Sequence, residues 1–91
     1  MGIIEISRPH ESPVVLFYTR QGCCLCDEAK NTLRQLQSKA KFEIREIDID
    51  QDPELRSLYN DQVPVIFIGG KKAFKYRVDP GEFLKRLTAV R

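Results

Sequence analysis

Hydrophobic and polar residues alternate along the chain in a way that predicts strands and helices from residue 13 onward. An almost continuous apolar run at 14–18 predicts a strand buried on both faces. Apolar residues then recur at steps of three and four, which predicts a helix with one buried stripe. The stripe consists of Leu25, Ala29, Leu33, Leu36 and Ala40. A segment at 42–49 mixes apolar and charged residues and predicts an edge strand, because charge resists further strand pairing.

A short helix and a hairpin are predicted next. Asp52 before Pro53 is typical of a helix N-cap and first position, so a helix is predicted to run to about Tyr59. Its inward-facing residues are predicted to be Leu55, Leu58 and Tyr59. Gly69-Gly70 predicts a two-residue hairpin turn. The turn joins an apolar strand at 65–68 to a second edge strand at 71–77, where Phe74 and Tyr76 would share one face and lysines would resist pairing.

The predicted order of elements is β-α-β-α-β-β-α, with the last helix opening as a capping box at Asp79-Pro80. The first strand–helix–strand unit predicts a right-handed parallel crossover, and the hairpin predicts an antiparallel pair. The two apolar strands would lie in the centre. The sequence therefore predicts an α/β fold, a mixed four-stranded sheet with helices on both faces, as a single domain over 13–91. Residues 1–12 are interpreted as an N-terminal arm, in which Ile3, Ile4 and Ile6 would allow a short extra strand.

Composition and charge exclude several classes of function. The chain has 91 residues with 15 Lys plus Arg and 13 Asp plus Glu, which gives a net charge of +2. A nucleic-acid-binding domain of this size would carry a stronger basic excess. No apolar run approaches the roughly 18 residues of a membrane span, and no export signal is recognisable. We therefore expect a cytoplasmic monomer that binds neither nucleic acid nor membrane.

Cysteine placement indicates redox chemistry. Cys23, Cys24 and Cys26 lie at the junction of the first strand and first helix, and C-x-x-C in this context is a redox motif in a reducing compartment. Backbone N–H groups and the helix dipole would favour a thiolate at Cys23, and Arg20 adds positive charge. Cys26 lies about one turn further on. We expect Cys23 to attack a substrate disulfide and Cys26 to resolve the mixed disulfide.

Residues 13–90 resemble the glutaredoxin and thioredoxin superfamily. The resemblance rests on Cys23-x-x-Cys26 after a strand, on the order of elements, and on Gln62-Val63-Pro64-Val65 before the third strand. The run GCCLCDEAK at 22–30 is most similar to the C-x-L-C-D-E-A branch of small glutaredoxin-like proteins. The resemblance implies a glutaredoxin-like fold and a cis peptide bond before Pro64, which would face the cysteines. It also implies that Pro64 and the Val63 main chain line the substrate groove.

Several positions depart from the relatives. Gly22 and Phe17 stand where thioredoxins carry a Trp and a buried Asp, and Cys24-Leu25 replaces the Pro-Tyr of glutaredoxins. Tyr76-Arg77-Val78-Asp79 follows the fourth strand, where glutaredoxins have Gly-Gly-Asp to help hold glutathione. The resemblance assigns Arg20 to the glycyl carboxylate of glutathione and Asp79 to its ammonium group. Because side chains replace the glycines, we expect weak use of glutathione.

Other interpretations of the cysteines remain open. Zinc needs four ligands, three cysteines within four residues do not converge on one ion, and the only histidine, His10, is distant. A cluster of iron and sulfur would need external ligands, so no metal or cofactor is expected beyond glutathione as a possible reductant. Cys24 is interpreted as an incidental small residue, with an alternative disulfide as the competing interpretation.

Two functions follow from these observations. The first is a thiol–disulfide oxidoreductase that reduces a disulfide-containing protein or a glutathione mixed disulfide and is recycled by an upstream reductase. The second is a non-catalytic interaction module whose cysteine pair is a passive redox or metal-binding handle. Reactivity of the thiols and turnover with a reductase would distinguish them.

Overall fold

A computed structural model describes residues 13–89, and the order of its elements confirms the prediction. The strands and helices are β1 (Val14–Thr19), α1 (Cys24–Leu36), β2 (Glu43–Asp48), α2 (Pro53–Tyr59), β3 (Val65–Ile68), β4 (Lys71–Lys75) and α3 (Pro80–Ala89). A 3-10 turn at Ile49–Gln51 leads from β2 into α2. The predicted arm at 1–12 lies outside the described residues.

The four strands form one mixed sheet in the order β2-β1-β3-β4. β1 pairs with β2 in parallel and with β3 in antiparallel fashion, and β3 pairs with β4 in antiparallel fashion. The predicted α/β fold is therefore confirmed, with the apolar strands central and the charged strands at the edges. Central strands bond on both sides and bury more of their surface, which is why the most apolar segments occupy them.

The main hydrophobic core lies between the sheet and the pair formed by α1 and α3. Val15 and Phe17 of β1 are fully buried here, and Leu33 of α1 packs in the same cluster. The ring of Phe83 in α3 lies 5.0 Å, centroid to centroid, from that of Phe42. These residues fix the start of α1, and with it the cysteines, against the end of β1.

Among residues 13–89, α2 is the helix that covers the opposite face of the sheet. The ring of Tyr59 lies 5.0 Å from that of Tyr18 and 6.3 Å from that of Phe67. α2 has only seven residues and covers this face incompletely, so the side chains of β1 alternate between buried and half-buried. The prediction that β1 is buried on both faces was therefore wrong. Leu58, predicted to face inward, is 60% exposed on the solvent side of α2.

Two element boundaries differ from the sequence prediction. α1 ends at Leu36, although the Ala40 N–H still bonds the Leu36 carbonyl at 3.0 Å through the following turn. β4 ends at Lys75, because Tyr76 adopts a φ of 71° that a strand does not accommodate. Tyr76 therefore does not continue the strand face of Phe74. Within residues 13–89, the helices are too short or too polar to cross a membrane.

Candidate active site

The three cysteines have different environments at the start of α1. Cys23 is the N-cap, with extended backbone, and its Sγ accepts a hydrogen bond from the Cys26 N–H at 3.2 Å. An N–H donor aimed at sulfur stabilises negative charge more than it stabilises a neutral thiol. Cys24 is exposed, Cys23 is half-buried and Cys26 is only 2% exposed. An incoming disulfide therefore reaches Cys23 more readily than Cys26.

Cys26 keeps its proton at neutral pH. Burial raises the pKa of its thiol to about 11, and donation of the S–H to Cys23 acts in the same direction. The Thr19 hydroxyl and the Arg20 backbone N–H act in the opposite direction, because they donate to the Cys26 sulfur. Because a protonated thiol is a poor nucleophile, Cys26 is suited to react after Cys23 and not before it.

The segment before β3 ends beside the cysteine loop. The Val63–Pro64 peptide bond is cis, as the resemblance implied, and Pro64 is fully buried. Because Tyr18 pairs with Val65, Pro64 lies at the level of Thr19, where β1 leads toward Cys23. Among residues 13–89, neither the N–H nor the carbonyl of Val63 takes part in a hydrogen bond. An extended chain can therefore pair with the Val63 main chain.

Arg20 lies in the loop between β1 and Cys23, but its side chain points to α2. Its Nε and Nη2 donate to the Asp50 carboxylate over 3.2 and 2.7 Å. Its Nη1 lies 3.0 Å from both the side-chain and main-chain oxygens of Asn60. These bonds hold the pKa of Asp50 below its usual value. The guanidinium thus joins the cysteine loop to the helix that precedes Pro64.

Asp79 caps α3. Its Oδ1 accepts from the Glu82 N–H at 3.1 Å and its carbonyl accepts from the Phe83 N–H at 2.8 Å. The Glu82 carboxylate instead bonds Arg86 at 3.2 Å, so only half of the predicted capping box forms. The Asp79 side chain is exposed. The ammonium group of a ligand could therefore approach this carboxylate from solvent.

Tyr76 lies in the site region, although the sequence predicted for it only a place on the strand face of Phe74. Its N–H donates to the Pro64 carbonyl at 2.8 Å and its hydroxyl to the Asp61 carbonyl at 3.1 Å. Its left-handed backbone costs about 1–2 kcal/mol in a residue with a Cβ atom. An aromatic residue in an alternating pattern ordinarily indicates a strand, so no sequence signal marks this role.

The described residues provide no evident metal ligand set. Across 13–89, Cys, His, Asp and Glu side chains form no group of three or more that is positioned to hold an ion. Cys24 is exposed, whereas Cys26 is buried.

Comparisons with known proteins show the family and the fold of the chain. The family model of the glutaredoxin-like domain (DUF836) matches residues 14–88. A Nitrosomonas europaea protein, solved in solution by NMR, is 36% identical with a TM-score of 0.75, and the match covers 89% of this chain and 98% of that chain. A glutaredoxin-like protein of Dictyostelium discoideum is 35% identical, and the match covers 97% of this chain and 87% of the relative. Chloroplastic thioredoxin z shares the fold, with a TM-score of 0.70 at 15% identity over 89% of this chain and 80% of its own.

Proposed function

Because this chain belongs to the glutaredoxin-like domain family, we propose that it is a thiol–disulfide oxidoreductase that uses a reversible Cys23–Cys26 disulfide. The observation that carries the proposal is the pairing of an accessible and a buried thiol. The Cys26 N–H donates to Cys23 Sγ, and the Cys26 thiol is buried beside it. Such a pair separates the two roles of attack and resolution.

The first step is an exchange at Cys23. Its thiolate attacks one sulfur of a substrate disulfide, a new S–S bond forms to Cys23, and the other substrate sulfur leaves as a thiolate that takes a proton from water. The start of α1 favours this step, because backbone N–H groups there stabilise negative charge on the Cys23 sulfur. The product is a mixed disulfide between the protein and half of the substrate.

The second step needs Cys26 to lose its proton. Once Cys23 is part of a disulfide it carries no charge, so the electrostatic and hydrogen-bond effects of Cys23 that raise the Cys26 pKa diminish. The Thr19 hydroxyl and the Arg20 N–H then remain to stabilise a Cys26 thiolate. This thiolate attacks Cys23 Sγ, the Cys23–Cys26 disulfide forms and the bond between Cys23 and the substrate sulfur breaks. That sulfur leaves as a thiolate and takes up a proton from water, to which Cys26 gave its own. The protein is oxidised by two electrons, which an upstream reductase returns.

Substrate would bind along the segment that precedes β3. The Val63 main chain, which has no partner among residues 13–89, offers one donor and one acceptor to an extended segment, and Pro64 forms the adjoining wall. Asp79 would accept from an ammonium group and Arg20 would add positive charge, although Asp50 offsets that charge. The proposed substrates are protein disulfides or glutathione mixed disulfides, reduced in the cytoplasm.

A coupled assay tests the proposal. The protein is given a peptide disulfide together with either glutathione and its reductase or a thioredoxin reductase, and NADPH consumption is followed. Turnover with at least one reductant, lost in Cys23→Ser, is the expected result. Absence of turnover with both reductants would contradict the proposal and favour a non-catalytic interaction module.

A further inference from the structure

Tyr76 combines three features that are uncommon together. It has a φ of 71°, its side chain is 41% exposed, and it carries an aromatic ring. Bulky residues seldom adopt a left-handed backbone, and those that do are held there by their surroundings and cluster at functional sites. The contacts of Tyr76 show which surroundings hold it.

Both hydrogen-bond donors of Tyr76 bond the segment that carries the cis proline. Its N–H donates to the Pro64 carbonyl at 2.8 Å and its hydroxyl to the Asp61 carbonyl at 3.1 Å. The two bonds bracket Val63, whose main chain is unpaired among residues 13–89. Tyr76 therefore fixes the segment on both sides of Val63 without occupying the main-chain N–H or carbonyl of Val63.

The same residue reaches the helix that carries the cysteines. A cavity of about 120 Å³ is lined by Leu25 and neighbouring α1 residues on one side and by Tyr76, Arg77 and Val78 on the other. Leu25 lies between Cys23 and Cys26 in the sequence. Tyr76 thus borders both α1 and the segment that precedes β3. A substrate bound to the Val63 main chain would lie between these two elements.

The exposed Tyr76 ring and the nearby lysine charges suit a polypeptide substrate. Lys75 Nζ lies 5.4 Å from the centroid of the Tyr76 ring, and Lys72 Nζ donates to the Gln62 side chain at 2.8 Å. An exposed ring beside these lysines offers contact to apolar and acidic side chains. Glutathione has a γ-glutamyl and a glycyl unit around its cysteine and no apolar side chain to place on the ring.

We infer that Tyr76 is a specificity-determining residue that selects polypeptide disulfides over glutathione mixed disulfides, an inference that rests on the proposed oxidoreductase function. Its ring contacts side chains of the bound segment, and its two hydrogen bonds hold Val63 in place for that segment. Glycine, which would admit glutathione more closely, would keep the main-chain bond to Pro64 but would provide neither the ring nor the hydroxyl bond to Asp61.

Steady-state kinetics with two substrates tests this inference. Tyr76→Gly and Tyr76→Asn both tolerate a positive φ and remove the ring, so at least one is expected to fold. With a disulfide-linked peptide, KM should rise about tenfold at nearly unchanged kcat, as expected for loss of an aromatic contact. With the mixed disulfide of glutathione and mercaptoethanol, KM should stay unchanged or fall.

Controls separate this role from a merely structural one. Tyr76→Phe keeps the ring and removes the bond to Asp61, so it should retain most of the selectivity. Leu58→Ala removes an exposed apolar side chain on α2 and should alter neither KM. The pH profile of cysteine alkylation should be the same in all variants. Equal changes of KM for both substrates would overturn the inference while leaving the proposed function intact, whereas a wild-type protein that reduces neither substrate would refute both.

Discussion

The main-chain N–H of Cys26 donates to Sγ of Cys23 over 3.2 Å, which aligns the two cysteines while both are still free thiols. The bond makes Cys23 the N-cap of α1 and gives its sulfur a donor that stabilises negative charge. Cys26 lies beneath it, 2% exposed. The two residues are therefore not equivalent, and their substitutions should have different consequences.

Cys23→Ser should abolish disulfide reduction, because the accessible nucleophile is removed. Cys26→Ser should accumulate a mixed disulfide, since attack still occurs but no buried thiol resolves it. Mass spectrometry after incubation with a peptide disulfide measures the adduct. Cys24→Ser is the matched control and should keep activity. Adducts formed through Cys26 in the Cys23→Ser protein would reverse the assigned roles.

Alkylation of Cys26 should depend steeply on pH. Because burial raises the pKa of its thiol to about 11, iodoacetamide should modify it slowly at neutral pH. The rate should rise by about tenfold per pH unit until the thiol is deprotonated, since only the thiolate reacts. Peptide mapping by mass spectrometry follows Cys26 separately from the other cysteines.

The Cys23→Ala variant tests the physical cause of that pKa. Without the sulfur of residue 23, hydrogen bonding and charge no longer raise the pKa of Cys26, whereas burial, the largest cause, still does. The midpoint of the alkylation profile should move downward but stay above the ordinary thiol value. An unchanged midpoint would show that Cys23 has no influence on the Cys26 proton.

The fold could be predicted from the sequence because its signals are local. The Asp52 cap, the Gly69-Gly70 turn and the apolar periodicity each involve neighbouring residues, and the structure places elements where they indicate. Exposure of Leu58 could not be predicted, because it depends on how far a short α2 extends over the sheet. The positive φ of Tyr76 likewise depends on partners at residues 61 and 64, distant in sequence.

Within the candidate site, the contacts of Arg20 likewise could not be predicted from the sequence. Its position before the cysteines suggested a role toward a substrate carboxylate. The structure pairs it with Asp50, thirty residues away, at 2.7 Å. A partner that far along the chain is brought near only by the parallel β1–β2 crossover and the turn that follows β2. Pairing of this kind is a property of the tertiary fold.

Asp50→Asn should therefore strengthen binding of anionic substrates. The substitution removes the charge that offsets Arg20, so more positive potential reaches the cysteine loop. KM for a glutathione mixed disulfide should fall, and the effect should weaken with added salt. Because Arg20 holds the pKa of Asp50 below its usual value, Asp50 is charged throughout the neutral range and the effect should not vary with pH there.

Glu54→Gln is the matched control for this charge change. Glu54 is an exposed acid in the first turn of α2 and has no bond to Arg20. It should leave KM for the mixed disulfide nearly unchanged, because an exposed charge further from Arg20 is screened. Equal effects of Asp50→Asn and Glu54→Gln would indicate a general dependence on net charge.

Glutathione should be a poor substrate partner of this protein. Of its expected anchors, only the Val63 main chain is free of other bonds among residues 13–89. The Arg20 guanidinium already bonds Asp50 and Asn60, and the Asp79 carboxylate already caps α3.

Loss of one charged hydrogen bond reduces binding by about 1.5–3 kcal/mol, so we expect kcat/KM about ten- to a hundredfold below that of a glutaredoxin with Pro-Tyr between its cysteines. A coupled assay with glutathione, its reductase and a small mixed disulfide, run on both proteins side by side, measures the difference. The same protein should turn over a peptide disulfide, which shows that its thiols are active. Comparable activity of the two proteins with glutathione, or a crystal structure with glutathione ordered at Asp79, would mean that the side chains of Arg77 and Val78 do not hinder its approach.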